Sequence, residues 1–354
     1  MDDNQTVEPT YYDGTKLLSL KDINGKKPEV FICTTNRTGG KTTFYSRMLI
    51  NGFKKKGRKF AILYRYSYEL DDCAEKFFAD IKGLYFPTDV LESKSKSRGV
   101  YHELYLNEEC CGYAIPINSA DQIKRMSHLF NDVEIIFFDE FQSESGKYCS
   151  LEMRKFCSIH QSIARGQGKQ VRYVPVIMCA NAITLLNPYY VTLGISDRLR
   201  EDTTYMRGDG FVLEQGFVES ASNAQKESGF NRAFASERYT EALAYGKSGV
   251  YLNDNKAFIE KPTGKSTYVA TLKYEGNCYA IREYTEAGIM YADDHADETF
   301  PLKITVTTDD HEINYVMLKR NDVFLSNMRY FWERGVFRFK NLQCKNVILN
   351  TLSY

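Results

Sequence analysis

Residues 36–43 read Asn-Arg-Thr-Gly-Gly-Lys-Thr-Thr. Two adjacent glycines let backbone N–H groups come close to phosphate oxygens. The lysine after them, Lys41, can reach β- and γ-phosphate oxygens, and the hydroxyl of Thr42 can ligate Mg²⁺. Further along, Asp139 and Glu140 close an apolar run, VEIIFF. An acid there can hold Mg²⁺, and a second can act as general base on an attacking water. A loop for phosphates and a pair of acids together specify nucleotide hydrolysis, with ATP and Mg²⁺ as the expected cofactors.

These groups need particular elements to position them. EVFICTT (29–35) is apolar and β-branched, as a buried strand requires. From Lys41 the apolar positions Phe44, Met48, Leu49 and Phe53 recur at helical spacing. The glycines therefore fall between a strand and a helix, whose N-terminus offers unpaired N–H groups to an anion. Thr35 stands where the phosphate-loop pattern has its first glycine. A plain glycine turn opening a helix remains the alternative for this stretch alone. Residues 35–43 (Thr35, Asn36, Arg37, Thr38, Gly39, Gly40, Lys41, Thr42 and Thr43) form the expected ATP-binding segment. KFAILYRY (59–66) reads as another strand, VEIIFFDEF (133–141) as the acid strand, LEMRKFCSIHQSIARG as a helix, and VRYVPVIMCAN (171–181) as a strand ending in Asn181. A strand between the two motifs and a glutamate beside the aspartate is the pattern of the additional-strand, catalytic-glutamate branch of phosphate-loop ATPases. In that branch a polar group at the end of the next strand senses the γ-phosphate, the position of Asn181; a helix cap or turn residue is the other reading. Tyr11 and Tyr12 precede the loop strand, and Tyr12 is a candidate to stack on the base, with core packing equally open. The order predicts an α/β domain with a mainly parallel central sheet.

Composition bounds the partners. The chain has 354 residues, 43% hydrophobic and 14% aromatic, enough for packed cores. Lys+Arg and Asp+Glu number 46 each, so any nucleic-acid contact has to be local. The nine cysteines show no zinc spacing and read as reduced thiols. No apolar stretch has membrane length and none near the start resembles a leader, so neither a membrane partner nor secretion is expected.

A composition change divides the chain. Residues 1–196 read as the ATPase domain, and 197–248, rich in Gly, Ser, Ala, Arg and Glu, as a lid and linker. Residues 249–354 read as a small α+β domain of short alternating strands (STYVATLKY, CYAIREY, GIMYAD, LKITVTT) followed by a helix, DVFLSNMRYFWERG. ESKSKSRG (92–99) is small, polar and basic and reads as a mobile loop leading into a hairpin of YHELYL and CGYAIPI. Its Lys94, Lys96 and Arg98 are candidates to follow a phosphate backbone. The C-terminal stretch is basic as well: Lys319, Arg320, Arg329, Arg334, Arg338, Lys340 and Lys345 face only Asp322 and Glu333 in sequence. Among these, Arg334, Arg338 and Lys340 are further candidates for nucleic-acid contact. Asp293–Asp294 and Asp309–Asp310 are sequence neighbours, and strand neighbours point to opposite faces. They do not supply the gathered carboxylates of a two-metal nuclease.

Several segments in order, YYDGTKLLS, TNRTGGKT, YRYSYEL, GYAIPIN, FFDEF, CANAITLLNPYY, FIEK, GIMYADDHAD and TVTTDDHE, make the chain resemble the DNA-packaging (encapsidation) ATPases of small, protein-primed tailed bacteriophages. Such proteins are similar to large terminase motors and to FtsK/HerA ring translocases. The resemblance implies ATP-driven translocation of double-stranded DNA into a preformed capsid by a homopentameric ring. The ring would bind the portal (connector) protein, with a structural packaging RNA as a further partner. The place of action would be the cytoplasm of the infected bacterial host, at the procapsid portal vertex. It implies an RNase H-like, non-catalytic C-terminal domain. It also implies that Arg37 contacts the γ-phosphate or pairs with an acid when ATP is absent, and that a neighbouring subunit supplies a catalytic arginine or lysine. Arg165 and Lys124 are the candidates for that role. Two other readings remain: a terminase-like motor with an active nuclease, and a non-motor ATP-binding assembly protein.

Overall fold

The computed structural model describes residues 10–166, 168–196, 198–199, 203–234, 254, 256–319 and 322–353. Two compact units result: Met1–Thr192 with Leu199–Asn253, and Leu193–Arg198 with Asp254–Tyr354.

The first unit is built on β1 (Val30–Thr35), β2 (Lys59–Tyr64), β3 (Leu91–Lys96), β4 (Tyr101–Leu106), β5 (Glu109–Pro116), β6 (Val133–Phe138), β7 (Val176–Asn181), β8 (Tyr205–Arg207) and β9 (Phe211–Gln215). The sheet order is β3-β4-β5-β2-β6-β7-β1-β9-β8. The run from β5 to β9 is parallel, and antiparallel strands extend both edges. The central strands are apolar almost throughout because both faces are covered. The helices are α1 (Thr15–Ser19), α2 (Lys41–Lys56), α3 (Cys73–Tyr85), α4 (Ala120–Arg125), α5 (Glu152–Ile163), α6 (Pro188–Thr192), α7 (Glu219–Glu227) and α8 (Gly229–Ala233). On one face, α2 and α3 bury Leu49, Ile50, Phe53, Phe77 and Ile81 against Phe31, Phe60, Phe137 and Ile177. On the other, Phe138 meets Phe156 of α5 and Tyr189 of α6 ring to ring. No helix among the described residues is long and apolar enough to cross a membrane.

Three findings add to the expectations or change them. First, the strand between β1 and the acid strand β6 in the sheet is β7; KFAILY (β2) lies between them only in sequence. Second, residues 91–96 are not a loop. They form edge strand β3, paired with β4 from Leu91↔Leu106 to Lys96↔Tyr101, and only Ser97, Arg98 and Gly99 turn, all at positive φ. Alternating small and charged residues suit an edge strand, where lysines discourage pairing with another chain. Third, the segment expected as lid and linker contributes β8 and β9 to the sheet, with β9 directly beside β1. It also carries α7 and α8, and its residues 197, 200–202 and 235–248 lie outside the described residues.

The second unit is a six-stranded sheet flanked by helices, an α+β arrangement. Its strands are β10 (Thr267–Tyr274), β11 (Asn277–Tyr284), β12 (Ile289–Asp293), β13 (Lys303–Thr305), β14 (Val316–Met317) and β15 (Phe337–Phe339), in the order β14-β13-β10-β11-β12-β15. Strands β10 to β12 form an antiparallel meander; β13 runs parallel to β10, β14 to β13, and β15 to β12. Helices α9 (Val323–Glu333) and α10 (Leu342–Leu352) begin at side-chain caps, Asp322 accepting from the Phe324 N–H and Asn341 from the Cys344 N–H. Leu325, Met328, Val347 and Ile348 pack onto the sheet.

Candidate nucleotide site

The parallel strands deliver their C-terminal ends to one edge, where ligands bind in open α/β sheets. Register sets the details. Thr35 is paired with Asn181 across β1 and β7, and Phe138 with Met178 across β6 and β7. The loop after β1 therefore faces the tip of β7, with the acids after β6 one strand beyond.

Thr38 (φ 61°) and Gly40 (φ 90°) turn the loop into α2 through the left-handed region. Lys41 Nζ donates to Asn181 Oδ1 at 2.7 Å, and Thr42 Oγ1 donates to Asp139 Oδ2 at 2.7 Å. Glu140 has φ 54°, and its N–H donates to Asp139 Oδ1 at 3.0 Å. Arg37 Nη1 is 3.6 Å from Glu144 Oε1, which also accepts from Asn181 Nδ2 at 3.4 Å. Burial raises the Asp139 carboxyl, opposed by Lys41 and by the Thr42 hydrogen bond. Burial also raises Glu140, reinforced by Asp139 and Glu144 and opposed by Lys41 and Arg37. A hydroxyl and a carboxylate held side by side, both hard oxygen donors, fit Mg²⁺.

Three residues of the expected ATP-binding set have side chains held by the protein itself. Tyr12 is buried, its hydroxyl donating to Glu214 Oε2 at 2.6 Å and lying 3.0 Å from Tyr45 Oη. Its ring packs against Phe44 and Tyr45 and lines the cavity described below. The Asn36 amide is consumed by the Val218 backbone, donating to its carbonyl at 3.0 Å and accepting from its N–H at 2.9 Å. Thr35 is buried, with its hydroxyl donating to the Asn36 carbonyl at 2.9 Å. Its methyl packs at Gly216, where a Cβ would come within 3.1 Å of it. The glycine missing from the loop has its counterpart across the strand, which is how Thr35 is accommodated. Thr38, Gly39, Gly40 and Thr43 line a cavity of about 810 Å³ that runs from the loop along α2. A second, polar cleft of about 530 Å³ is lined by Arg37, Glu140, Glu144, Asn181, Tyr66 and Tyr68.

Arg165 and Lys124 are not brought to the loop within the chain. Arg165 is exposed and hydrogen-bonds to Ser127, just before β6 begins, so it lies at the opposite edge of the sheet. Lys124 is exposed on α4. Arg172 is buried and donates to the carbonyls of Ile163 and Val133.

The basic candidates are largely engaged. Lys96 pairs with Glu103 at 3.0 Å and Lys94 lies 4.2 Å from the centre of the Tyr105 ring, while Arg98 is exposed in the turn. In the second unit, Lys340 pairs with Asp294 and Arg338 with Glu260. Two residues of the tract that looks unopposed in sequence are thus paired with acids from distant segments. Arg334 is exposed and lies 3.7 Å from the centre of the Tyr330 ring. Arg320 lies outside the described residues. Asp293 is taken by Arg282 at 2.9 Å. Asp310 accepts from the Thr307 hydroxyl and from the N–H groups of Glu275 and Gly276.

Sequence reasoning missed the support beneath Glu140. Arg65, after β2, pairs with Glu152 at the start of α5, with Nε 3.1 and 3.0 Å from the two carboxylate oxygens. Its Nη2 donates to the Phe141 carbonyl at 2.8 Å. Glu152 also accepts from Tyr189 Oη at 2.6 Å and the Cys149 N–H at 2.8 Å. Arg65 and Tyr189 sit in YRYSYEL and NPYY, but no local pattern links them to Glu152.

The family model for the podovirus DNA encapsidation protein (Gp16) matches residues 7–353. The DNA packaging protein of Bacillus phage phi29 is 25% identical over 303 residues, 84% of this chain and 85% of the relative. That of Bacillus phage B103 is 23% identical over 309 residues, 85% of this chain and 89% of the relative. Among solved structures, a chain of the bacteriophage Phi-29 viral genome packaging motor assembly superposes with a TM-score of 0.70 at 23% identity, covering 97% of this chain and 98% of that one. The Phi-28 gp11 DNA packaging motor gives a TM-score of 0.58 at 14% identity, covering 97% of each chain.

Proposed function

The chain belongs to the podovirus DNA encapsidation protein family, and from that membership we propose how its residues carry out packaging. It is an ATPase that powers the packaging of phage DNA. The observation carrying the mechanism is the convergence of Lys41, Thr42, Asp139 and Asn181 through two 2.7 Å hydrogen bonds at the strand tips.

The loop N–H groups and Lys41 bind the ATP phosphates. Thr42 and Asp139 hold Mg²⁺, which when bound adds positive charge against the phosphates. Glu140, raised by burial and by Asp139 and Glu144 beside it, orients the attacking water and takes its proton. Asn181 contacts the γ-phosphate, and Arg37 exchanges Glu144 for it. Arg165, with Lys124 as the alternative, serves a neighbouring subunit's site, since it lies at the far edge of its own sheet. This accords with a homopentameric ring on double-stranded DNA at the procapsid portal in the host cytoplasm, with a structural RNA as an additional contact. Arg98 and Arg334, both exposed, are the better placed of the nucleic-acid candidates. We read the second unit as RNase H-like and non-cleaving. Its antiparallel meander with parallel strands added beside β10 supports the first point. The engagement of Asp293 and Asp310 by donors of their own unit supports the second.

ATP hydrolysis by the full chain, measured with and without double-stranded DNA, tests the reading. Glu140→Gln should lower turnover by about 10²- to 10⁴-fold with ATP binding retained, and DNA should stimulate only the unmodified protein. Turnover that survives Glu140→Gln, or that ignores DNA in the assembled ring, refutes it.

A further inference from the structure

The 810 Å³ cavity is larger than a triphosphate needs and continues past the loop between α2 and α3. Its mouth carries one unusual residue. Tyr11 is 70% exposed although its neighbour Tyr12 is buried. Tyr12 is fixed three ways: its N–H donates to the Gly39 carbonyl at 2.8 Å, and its hydroxyl meets Glu214 and Tyr45. Thr10, on the other side, is tied to Ser220 by backbone and side chain. The Tyr11 backbone is therefore held between two anchored residues.

Its ring side lies against Gly40: a Cβ there would be 3.3 Å from Tyr11 Cδ1 and 3.4 Å from Tyr11 Cβ. The same glycine that turns the loop thus lets an aromatic ring sit beside the phosphate-binding N–H groups. Along the opposite wall, Phe44, Arg47, Met48 and Asn51 present one side of α2. The Arg47 guanidinium is 4.3 Å from the centre of the Tyr85 ring, a stack that holds that wall in place. An exposed ring lining the same cavity as a mixed apolar and amide-bearing wall, next to a phosphate loop, has the makings of a nucleobase subsite.

We propose that Tyr11 is the base-stacking residue of this protein, holding the adenine of ATP in the cavity against the Phe44–Arg47–Met48 side of α2. The subsite rests on the ATP-site reading above and extends it from the phosphates to the base. Tyr11 supplies affinity through the ring face and Asn51 offers donors and acceptors to the base edge, while the loop continues to hold the phosphates independently.

Calorimetric titration of the full chain with Mg-ATP and, separately, with Mg-tripolyphosphate tests this. Tyr11→Ala should weaken ATP about tenfold, the scale of one stacked base, and leave tripolyphosphate unchanged; Tyr11→Phe should restore ATP binding. Unchanged ATP affinity in Tyr11→Ala overturns the proposal. So does an equal loss for both ligands, which would make Tyr11 a prop for the loop. Lys41→Ala separates the two levels of argument: if it binds ATP as the unmodified protein does, the phosphate site itself is wrong, whatever Tyr11 does.

Discussion

Replacing Glu152 by glutamine removes one charge from the middle of the ATPase unit and changes little else in shape. The side chains of Arg65 and Glu152 are 9% and 1% exposed, so neither ion is hydrated when its partner is lost. Glutamine keeps one oxygen, which can accept from the Cys149 N–H, while its amide N–H can donate to a Tyr189 hydroxyl that turns to accept it, and Arg65 keeps the Phe141 carbonyl. What remains uncompensated is the guanidinium charge between the Phe138 and Tyr148 rings, 5.6 and 5.0 Å from their centres. Breaking one side of such a pair costs about 3–5 kcal/mol, a large part of the roughly 5–15 kcal/mol by which domains are stable. Removing the guanidinium as well, with Arg65→Met and Glu152→Gln, leaves no buried charge, keeps the amide for Tyr189 and Cys149 and frees only the Phe141 carbonyl; replacing a buried pair by uncharged residues is often neutral. The double variant should therefore be more stable than Glu152→Gln alone. Urea unfolding followed by circular dichroism measures all three proteins. A loss under about 1 kcal/mol for Glu152→Gln, the value of an exposed pair, refutes the reasoning. So does a double variant less stable than the single one.

Two further outcomes follow from other contacts. Asn36→Ala deletes both hydrogen bonds to the Val218 backbone and should cost about 1–3 kcal/mol while loosening the phosphate loop; urea unfolding and ATP titration measure the two effects, and a neutral substitution would show that the loop does not depend on Val218. Asp310 is opposed by burial but held below the usual carboxylate range by the Thr307 hydroxyl, the Gly276 and Glu275 N–H groups and Lys273. Its contribution is therefore present above the unfolded value of about 3.9 and is lost as pH falls through the lower folded one. Trp332, the single tryptophan, packs beside Phe339, so its fluorescence should report a smaller acid-induced destabilisation in Asp310→Asn than in the unmodified chain; identical acid profiles would contradict this.

What could be read from the sequence was whatever one segment carries by itself. The strand–glycine–helix unit at 30–56 and the acids after VEIIFF announce their chemistry because composition and spacing within about ten residues decide both backbone and role. The sheet order could not be read that way. Asn181 reaches Lys41 because β7 inserts between β1 and β6, which parallel registers across distant segments determine. The same limit explains Tyr12 and Asn36. Each looks like a ligand because of its closeness to the loop in sequence, yet each is claimed by residues near 214–218 that β9 carries to the flank of β1. It also explains Lys96, Arg338 and Lys340 of the basic tracts, whose charges seem free until Glu103, Glu260 and Asp294 are folded against them. Thr35 shows the limit at its sharpest. A threonine in place of the first loop glycine looks like a weakened motif, but the space it needs is made by Gly216 on the neighbouring strand segment. A departure from a local pattern is therefore not a measure of lost function until the residues packed against it are known.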